Sequence, residues 1–303
     1  IGQIPKALQA YERSLMISPV YLEAKYNLGV LLWTTGKFAD AGNLLCDLHF
    51  RDSELYVLRS MYKLNDIAGF EKRYNEIVLS SPPNPILGNL GCHASVRFNK
   101  TFPNTFCKNP LNFIMKNSVF CEKEIWKLRK EGLDELIASL CKQQKSQSLL
   151  KNGWQSTGNI FHYDTSPVVI IKHLIETQLL EYRNKFAGSN EGFLENWPKK
   201  IDIHGWLVAM NSGGHLLAHI HEQGWLSGSL YINVPSSENK TDGMLKVGLA
   251  GGTFPTDSIE FPERVIEIST GDLCLFPSSL FHSTTPFVSD QQRLVLAFDI
   301  IPL

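Results

Sequence analysis

Hydrophobic positions along the chain follow two different periods, and the change falls after Asn196-Trp197-Pro198. Upstream, apolar residues recur every three or four positions, as one buried face of a helix requires. Trp126, Leu128, Leu133, Leu136, Ile137 and Leu140, with Lys and Glu between them, predict a helix over 122–146. Ser166-Pro167 opens another, in which Val169, Ile170, His173, Leu174, Thr177, Leu180 and Tyr182 recur. Proline suits such an early helical position. Downstream the period drops to two, in short runs at 201–211, 216–221, 227–234, 244–247, 265–268, 273–276, 281–285 and 294–300. Gly213-Gly214, Pro235, Asp242-Gly243, Gly251-Gly252, Gly271-Asp272 and Pro286 punctuate them. Eight strands with turn signals at this spacing predict a double-sheet jelly roll or a closely related barrel, one sheet backed by the helices of 122–186.

The first fifty residues repeat with a period of 34: Gly2 matches Gly36, Ile4 matches Phe38, Ala7 matches Ala41 and Tyr11 matches Leu45. That is the spacing of tetratricopeptide repeats. Tyr26-Asn27-Leu28-Gly29 and Leu32 supply a first-helix pattern in which the glycine lets two helices pack closely. A third, worn copy runs through Leu55-Tyr56, Leu58 and Met61-Tyr62 to Ile67, Phe70, Tyr74 and Ile77, and stops at Ser80-Ser81-Pro82-Pro83. Three units are about the minimum that can bury a shared face. Residues 84–120, rich in Pro, Asn, Gly and aromatic side chains without sustained period, read as a packed connector. The expected organisation is α+β: helical repeats over 1–83, the connector over 84–120 and a helix-backed β domain over 121–303.

Composition narrows the class. A chain of 303 residues with 43% hydrophobic and 19% charged residues is globular, and its net charge of -1 offers no overall electrostatic footprint for nucleic acid or a membrane surface. No run approaches a membrane span of roughly 18 apolar residues. Six scattered cysteines, none in a Cys-x-x-Cys pair, point to free thiols in a reducing, cytoplasmic setting. Asn99-Lys100-Thr101 and Asn239-Lys240-Thr241 fit the glycosylation sequon, a short pattern that arises often by chance. The chain opens on Ile1-Gly2 inside a repeat, so the absence of a targeting signal carries no weight.

The chemistry concentrates in two stretches. His219-Ile220-His221 places two imidazoles one residue apart at the end of a β run, where period two can point both the same way. His282 closes a distant strand, and Arg293 follows after ten intervening residues. Together they read as a non-haem iron site with an anchor for an acidic co-substrate. Parity puts Arg293, Val295 and Ala297 on one strand face, and Leu294, Leu296, Phe298 and Ile300 on the other. Ser227, Ser229, Tyr231 and Asn233 likewise lie opposite Leu230, Ile232 and Val234, so one sheet face is polar where a plain sandwich core would be apolar. Trp206, Trp225 and Phe281 are candidates for the cavity wall. His215 reads as a loop residue, His173 as a helix-surface or core-edge histidine, and Asn211 as a donor to a carboxylate.

The runs Trp225–Pro235, Gly271–Ser278, His282–Phe287 and Arg293–Asp299 resemble the bacterial 2-oxoglutarate/Fe(II)-dependent oxygenases fused behind tetratricopeptide repeats. The likeness is detailed over 150–303 and general over the repeats. It implies a double-stranded β-helix (a jelly-roll, cupin-like fold), ferrous iron, 2-oxoglutarate and O₂, with His219 and His282 as metal ligands and Arg293 on the C5 carboxylate. The usual facial triad has Asp or Glu two residues after the first histidine. Here that place is His221, so the expected ligand set is His219, His221 and His282, or two histidines with His221 behind them. Such a site is expected to hold iron more weakly, and its third imidazole leaves little room for a halide, which favours hydroxylation. Val295 stands where many relatives carry Ser or Thr; Ser229, Tyr231 or Thr284 would compensate. The expected substrate is a protein or peptide side chain recruited by the repeats, or a small or carrier-linked metabolite. The competing readings are a three-histidine cupin-type dioxygenase without 2-oxoglutarate and an inactive binding scaffold.

Overall fold

The computed structural model describes residues 3–144, 147–236, 239, 241–252 and 254–303. Gly2 of the repeat comparison, Ser146 at the expected helix end and Lys240 of the second sequon lie outside the described residues. Contacts divide the chain into two units, Ile1–Pro82 and Pro83–Leu303.

The first unit is five helices: α1 (Ile4–Ile17), α2 (Leu22–Thr34), α3 (Phe38–Leu45), α4 (Ser53–Lys63) and α5 (Ile67–Ser80). Each packs on the next in sequence. Close approach of α2 to α3 depends on Gly29, where a Cβ would stand 2.5 Å from the Leu45 side chain. Asp66 caps α5 by accepting from the Gly69 amide at 3.0 Å. Tyr62, Phe70 and Tyr74 form its buried aromatic centre.

The second unit begins with α6 (Pro85–Arg97), capped by Asn84 with Pro85 in its first turn. The stretch expected to be an aperiodic connector thus holds a helix, and it also holds strand β1 (Met115–Ser118), which pairs with β7. The helix expected over 122–146 is two: α7 (Glu122–Leu128) and α8 (Asp134–Cys141), joined by a π-helical turn in which Gly132 has φ +116°. That break leaves Trp126 exposed rather than on the apolar face. Strand β2 (Leu150–Gln155) follows, then α9 (Ser166–Lys185) and the single turn α10 (Gly192–Glu195). No helix among the described residues is long and apolar enough to cross a membrane.

The remaining strands are β3 (Ile201–His219), β4 (Leu226–Asn233), β5 (Leu245–Gly248), β6 (Glu263–Ile266), β7 (Asp272–Pro277), β8 (Phe281–Thr284) and β9 (Arg293–Pro302). They form one antiparallel sheet in the order β1-β7-β4-β9-β3-β8-β5-β6, with β2 added on β3. The two runs expected at 201–211 and 216–221 are one strand. Its first half pairs with β9 and its second with β8, and the change of partner falls at Gly213-Gly214. Gly213 has φ +76°, and a Cβ on Gly214 would meet the Asn211 carbonyl at 2.6 Å, so the bulge requires glycine. His215 accordingly lies in a strand and not in a loop.

The sheet curls until its ends face each other: Tyr231, Phe276 and Val295 of β4, β7 and β9 pack against Leu245 and Val247 of β5. On its outer face Leu230, Leu294, Leu296, Phe298 and Ile300 meet α7, α8 and α9 in the main core. Period two therefore separates the faces of β9 as parity predicts. Phe298 is fully buried there. Phe298→Ala is expected to cost about 3–5 kcal/mol, whereas Leu180→Ala, on the exposed face of α9, should stay within about 0.5 kcal/mol. Denaturant unfolding of both variants checks the contrast.

Candidate metal centre

His219 and His282 are directly opposed residues on β3 and β8. Strand β3 ends at His219, so His221 stands in the following turn rather than two places along a regular strand. Its ring nevertheless converges: the ring centroids lie 4.3 Å apart for His219 and His282, 4.6 Å for His221 and His282, and 5.1 Å for His219 and His221. One nitrogen from each lies within 4.8 Å of the others, and among the described residues these three form the group able to hold a metal ion.

Hydrogen bonds fix which nitrogen faces inward. The Nδ1 of His219 is 2.9 Å from the Leu217 carbonyl, that of His221 is 2.6 Å from Asp299 Oδ1, and that of His282 is 3.5 Å from the Leu280 carbonyl. These partners only accept, so each Nδ1 donates and each Nε2 is the nitrogen left for the interior. The Nε2 atoms of His219 and His221 are 3.1 Å apart. Two nitrogens bound at right angles to one cation at roughly 2.1 Å would stand roughly 3.0 Å apart. Burial, then the neighbouring His221, pushes the His219 imidazolium down to about 4. Burial and the other two imidazoles hold His282 well below its usual value. Both rings are neutral near pH 7, as ligation requires.

The histidines line a cavity of about 220 Å³ enclosed by the curled sheet. Arg293, only 2% exposed, opens into the same cavity. Its guanidinium bonds to the Tyr231 hydroxyl and lies 5.1 Å from that ring, while its Nε has no hydrogen-bond partner among the described residues. Burial lowers its pKa, and the Tyr231 contact opposes that shift. Burial also raises the pKa of the Tyr231 hydroxyl, which shares a further bond with Ser229. Among the described residues no carboxylate pairs with Arg293.

Residues 204–299 match the family model described as "Putative 2OG-Fe(II) oxygenase". The stretch from β3 to β9 is therefore the part of the chain that is similar to a 2-oxoglutarate/Fe(II)-dependent oxygenase. The matched segment holds all three histidines, Arg293 and Asp299, and iron, 2-oxoglutarate and O₂ are the cofactor and co-substrates of such an enzyme. The donor set fits them: three converging imidazoles for the metal, and a buried guanidinium with no carboxylate partner among the described residues for the dianion. No curated protein matches the chain. Similar solved structures include a Pseudomonas putida prolyl-4-hydroxylase, with 15% identity, 63% of this chain and 92% of that chain covered, and a TM-score of 0.43. Another is HygX from Streptomyces hygroscopicus with nickel and 2-oxoglutarate bound, at 13%, 62% and 82%, and 0.42. A third is a Trichoplax adhaerens prolyl hydroxylase in complex with a hypoxia inducible factor oxygen degradation domain peptide, at 12%, 70% and 90%, and 0.44.

Ser229, Tyr231, Thr284 and Trp206 line the cavity, the last with its ring 5.3 Å from that of His221. Three expected residues stand elsewhere. Asn211 is exposed and its Oδ1 accepts from the Gln292 side chain, because the bulge at 213–214 turns it outward. Trp225 is buried in the helix-backed core, where its indole donates to the Phe193 carbonyl. Phe281 has the opposite parity to His282 and packs on Phe254. Gln155 lines the cavity from β2, whose sequence carries no alternation to announce it. Asp299 was also missed, although the row Arg293, Val295, Ala297 extends to it by one further step of two. His282→Ala is expected to weaken Ni(II) binding on the order of 100-fold or more, and Asn211→Ala to leave it unchanged. Anaerobic calorimetric titration checks both.

Proposed function

We propose that this chain hydroxylates a C–H bond of a protein or peptide side chain, with His219, His221 and His282 holding Fe(II) and Arg293 gripping the distal carboxylate of 2-oxoglutarate. The observation that carries the reading is the buried guanidinium itself. An unpaired cation at 2% exposure is costly, and a planar fork of N–H donors is matched best by a carboxylate. A three-histidine dioxygenase without 2-oxoglutarate has no duty for this arginine. Ferrous iron and 2-oxoglutarate, when bound, supply the oxygen activation and hydrogen abstraction that amino-acid side chains cannot perform.

The rest of the work belongs to the chain. Tyr231 and Ser229 take the place of the hydroxyl missing at Val295, by holding the guanidinium and offering a second donor beside it. Val295, Ala297, Val208 and Leu245 keep the cavity dry, which strengthens every charged contact inside it. The third imidazole at His221 fills the position where halogenating enzymes seat a halide, which favours return of a hydroxyl. The double-stranded β-helix is the architecture to which the curled sheet corresponds. Helices α1–α5 act as tetratricopeptide-like repeats that recruit the target, since stacked helical repeats offer extended binding surfaces. A small or carrier-linked metabolite is the alternative substrate.

Arg293→Ala is expected to raise the 2-oxoglutarate concentration needed for half-saturation on the order of 100-fold, from the loss of about 2–3 kcal/mol of charge-assisted hydrogen bonding. Metal affinity should stay within a few-fold. The visible band of the anaerobic Fe(II) chelate, and succinate release once air enters, report the two separately. Unchanged 2-oxoglutarate binding would remove the basis of this assignment.

A further inference from the structure

Because His221 lies beyond the end of β3, no strand ladder fixes its ring. The turn that carries it is closed by the Gly224 amide donating to the His221 carbonyl at 3.1 Å, which sets the backbone but not the ring, whose Nδ1 also lies 3.3 Å from Ser227 Oγ. What restrains the ring is Asp299, whose Oδ1 accepts from Nδ1 at 2.6 Å. Asp299 is only 8% exposed and is held in turn. Ser227, its directly opposed partner on β4, donates to the same Oδ1 at 2.8 Å. Ser278 shares a 2.8 Å hydrogen bond with Ser227; since the Ser227 proton is committed to Asp299, Ser278 is the donor. Gly224 leaves the space this network needs, because a Cβ there would stand 2.6 Å from Ser278 Oγ and 3.1 Å from Asp299 Oδ1.

Resting on the metal-centre reading above, we propose that Asp299 is a positioning residue that makes up for the coordinating carboxylate this site lacks. It aims the His221 Nε2 lone pair at the metal and supplies, through that imidazole, the negative charge that other facial triads place directly on the ion. A carboxylate on the far nitrogen fixes the tautomer and raises the basicity of the near one. Three imidazole ligands carry no negative charge, so by themselves they leave a divalent cation wholly uncompensated. One buried carboxylate behind the ring halves that excess while keeping all three ligands nitrogen. The simpler alternative is that Asp299 only staples the 221–224 turn to β9, with no influence on the metal.

A double-mutant cycle separates the two. Asp299→Ala and the isosteric Asp299→Asn are each made in the full chain, alone and with His221→Ala, and Ni(II) affinity is measured by calorimetry without co-substrate. Asp299→Ala is expected to weaken Ni(II) 10- to 100-fold, and Asp299→Asn to weaken it too, because its amide lacks the charge. In the His221→Ala background either change should move affinity less than about 2-fold, since the path through the ring is gone. The absorption band of the anaerobic Fe(II)–2-oxoglutarate chelate should shift in the single variants, which a remote staple would not produce. Asp299→Asn keeps the test available if the alanine variant does not fold. Undiminished Ni(II) binding in Asp299→Asn, or equal losses in both backgrounds, would sink this proposal alone. A wild-type chain that binds no metal would sink the metal-centre reading along with it.

Discussion

A guanidinium enclosed by aromatic and aliphatic side chains, with no carboxylate beside it among the described residues, sets the terms for the rest of this domain. Burying a cation costs several kcal/mol unless its charge is met, and the Arg293 side chain finds only a phenol and a hydroxyl-bearing neighbour. The sheet must therefore be stable enough from other sources to hold that group in place. It draws this stability from its outer face, where the same strand that carries Arg293 sends Leu294, Leu296, Phe298 and Ile300 into the core beneath α7, α8 and α9. Packing on one side of β9 sustains an electrostatic deficit on the other.

The same division of labour governs the histidines. Desolvation inside the curl keeps His219 and His282 unprotonated near neutral pH, and backbone carbonyls choose their tautomers. Only His221, set outside the ladder, takes its orientation from a side chain. A site assembled this way draws two of its histidines from cross-strand neighbours and the third from the turn after β3, where its ring meets Asp299 of β9.

Much of this was legible because β structure writes its faces into the sequence with period two. The parity of β9, and of β4 as far as Tyr231, separated the cavity side from the core side. Beyond it a bulge sets Asn233 opposite Leu294 and Val234 beside the Tyr231 cluster, and His221 joins His219 and His282 from a turn rather than by strand parity. Legibility failed where local geometry departs from the regular ladder. The bulge at Gly213-Gly214 joined two expected strands into one and turned Asn211 to solvent. The π-helical turn at Gly132 split an expected helix and exposed Trp126. Trp225 and Phe281 sat close to the histidines in sequence but had the wrong facing, and adjacency along a strand means opposite sides. Strands β1 and β2 are short and carry polar residues, so their pairing comes from neighbours rather than from any pattern of their own.

Strand β3 runs from the helix-backed layer to the histidine edge, bending at a pair of glycines and shifting register again between Leu216 and His219. Its two halves answer to different neighbours, yet they share one covalent count of residues. Deleting or adding a single position between 211 and 216 would leave the core half seated and roll the far half over by one side chain, carrying His219 to the outer surface and Ala218 into its place. This short stretch is therefore constrained in length more strictly than in composition, and an indel here would silence the site without unfolding the protein.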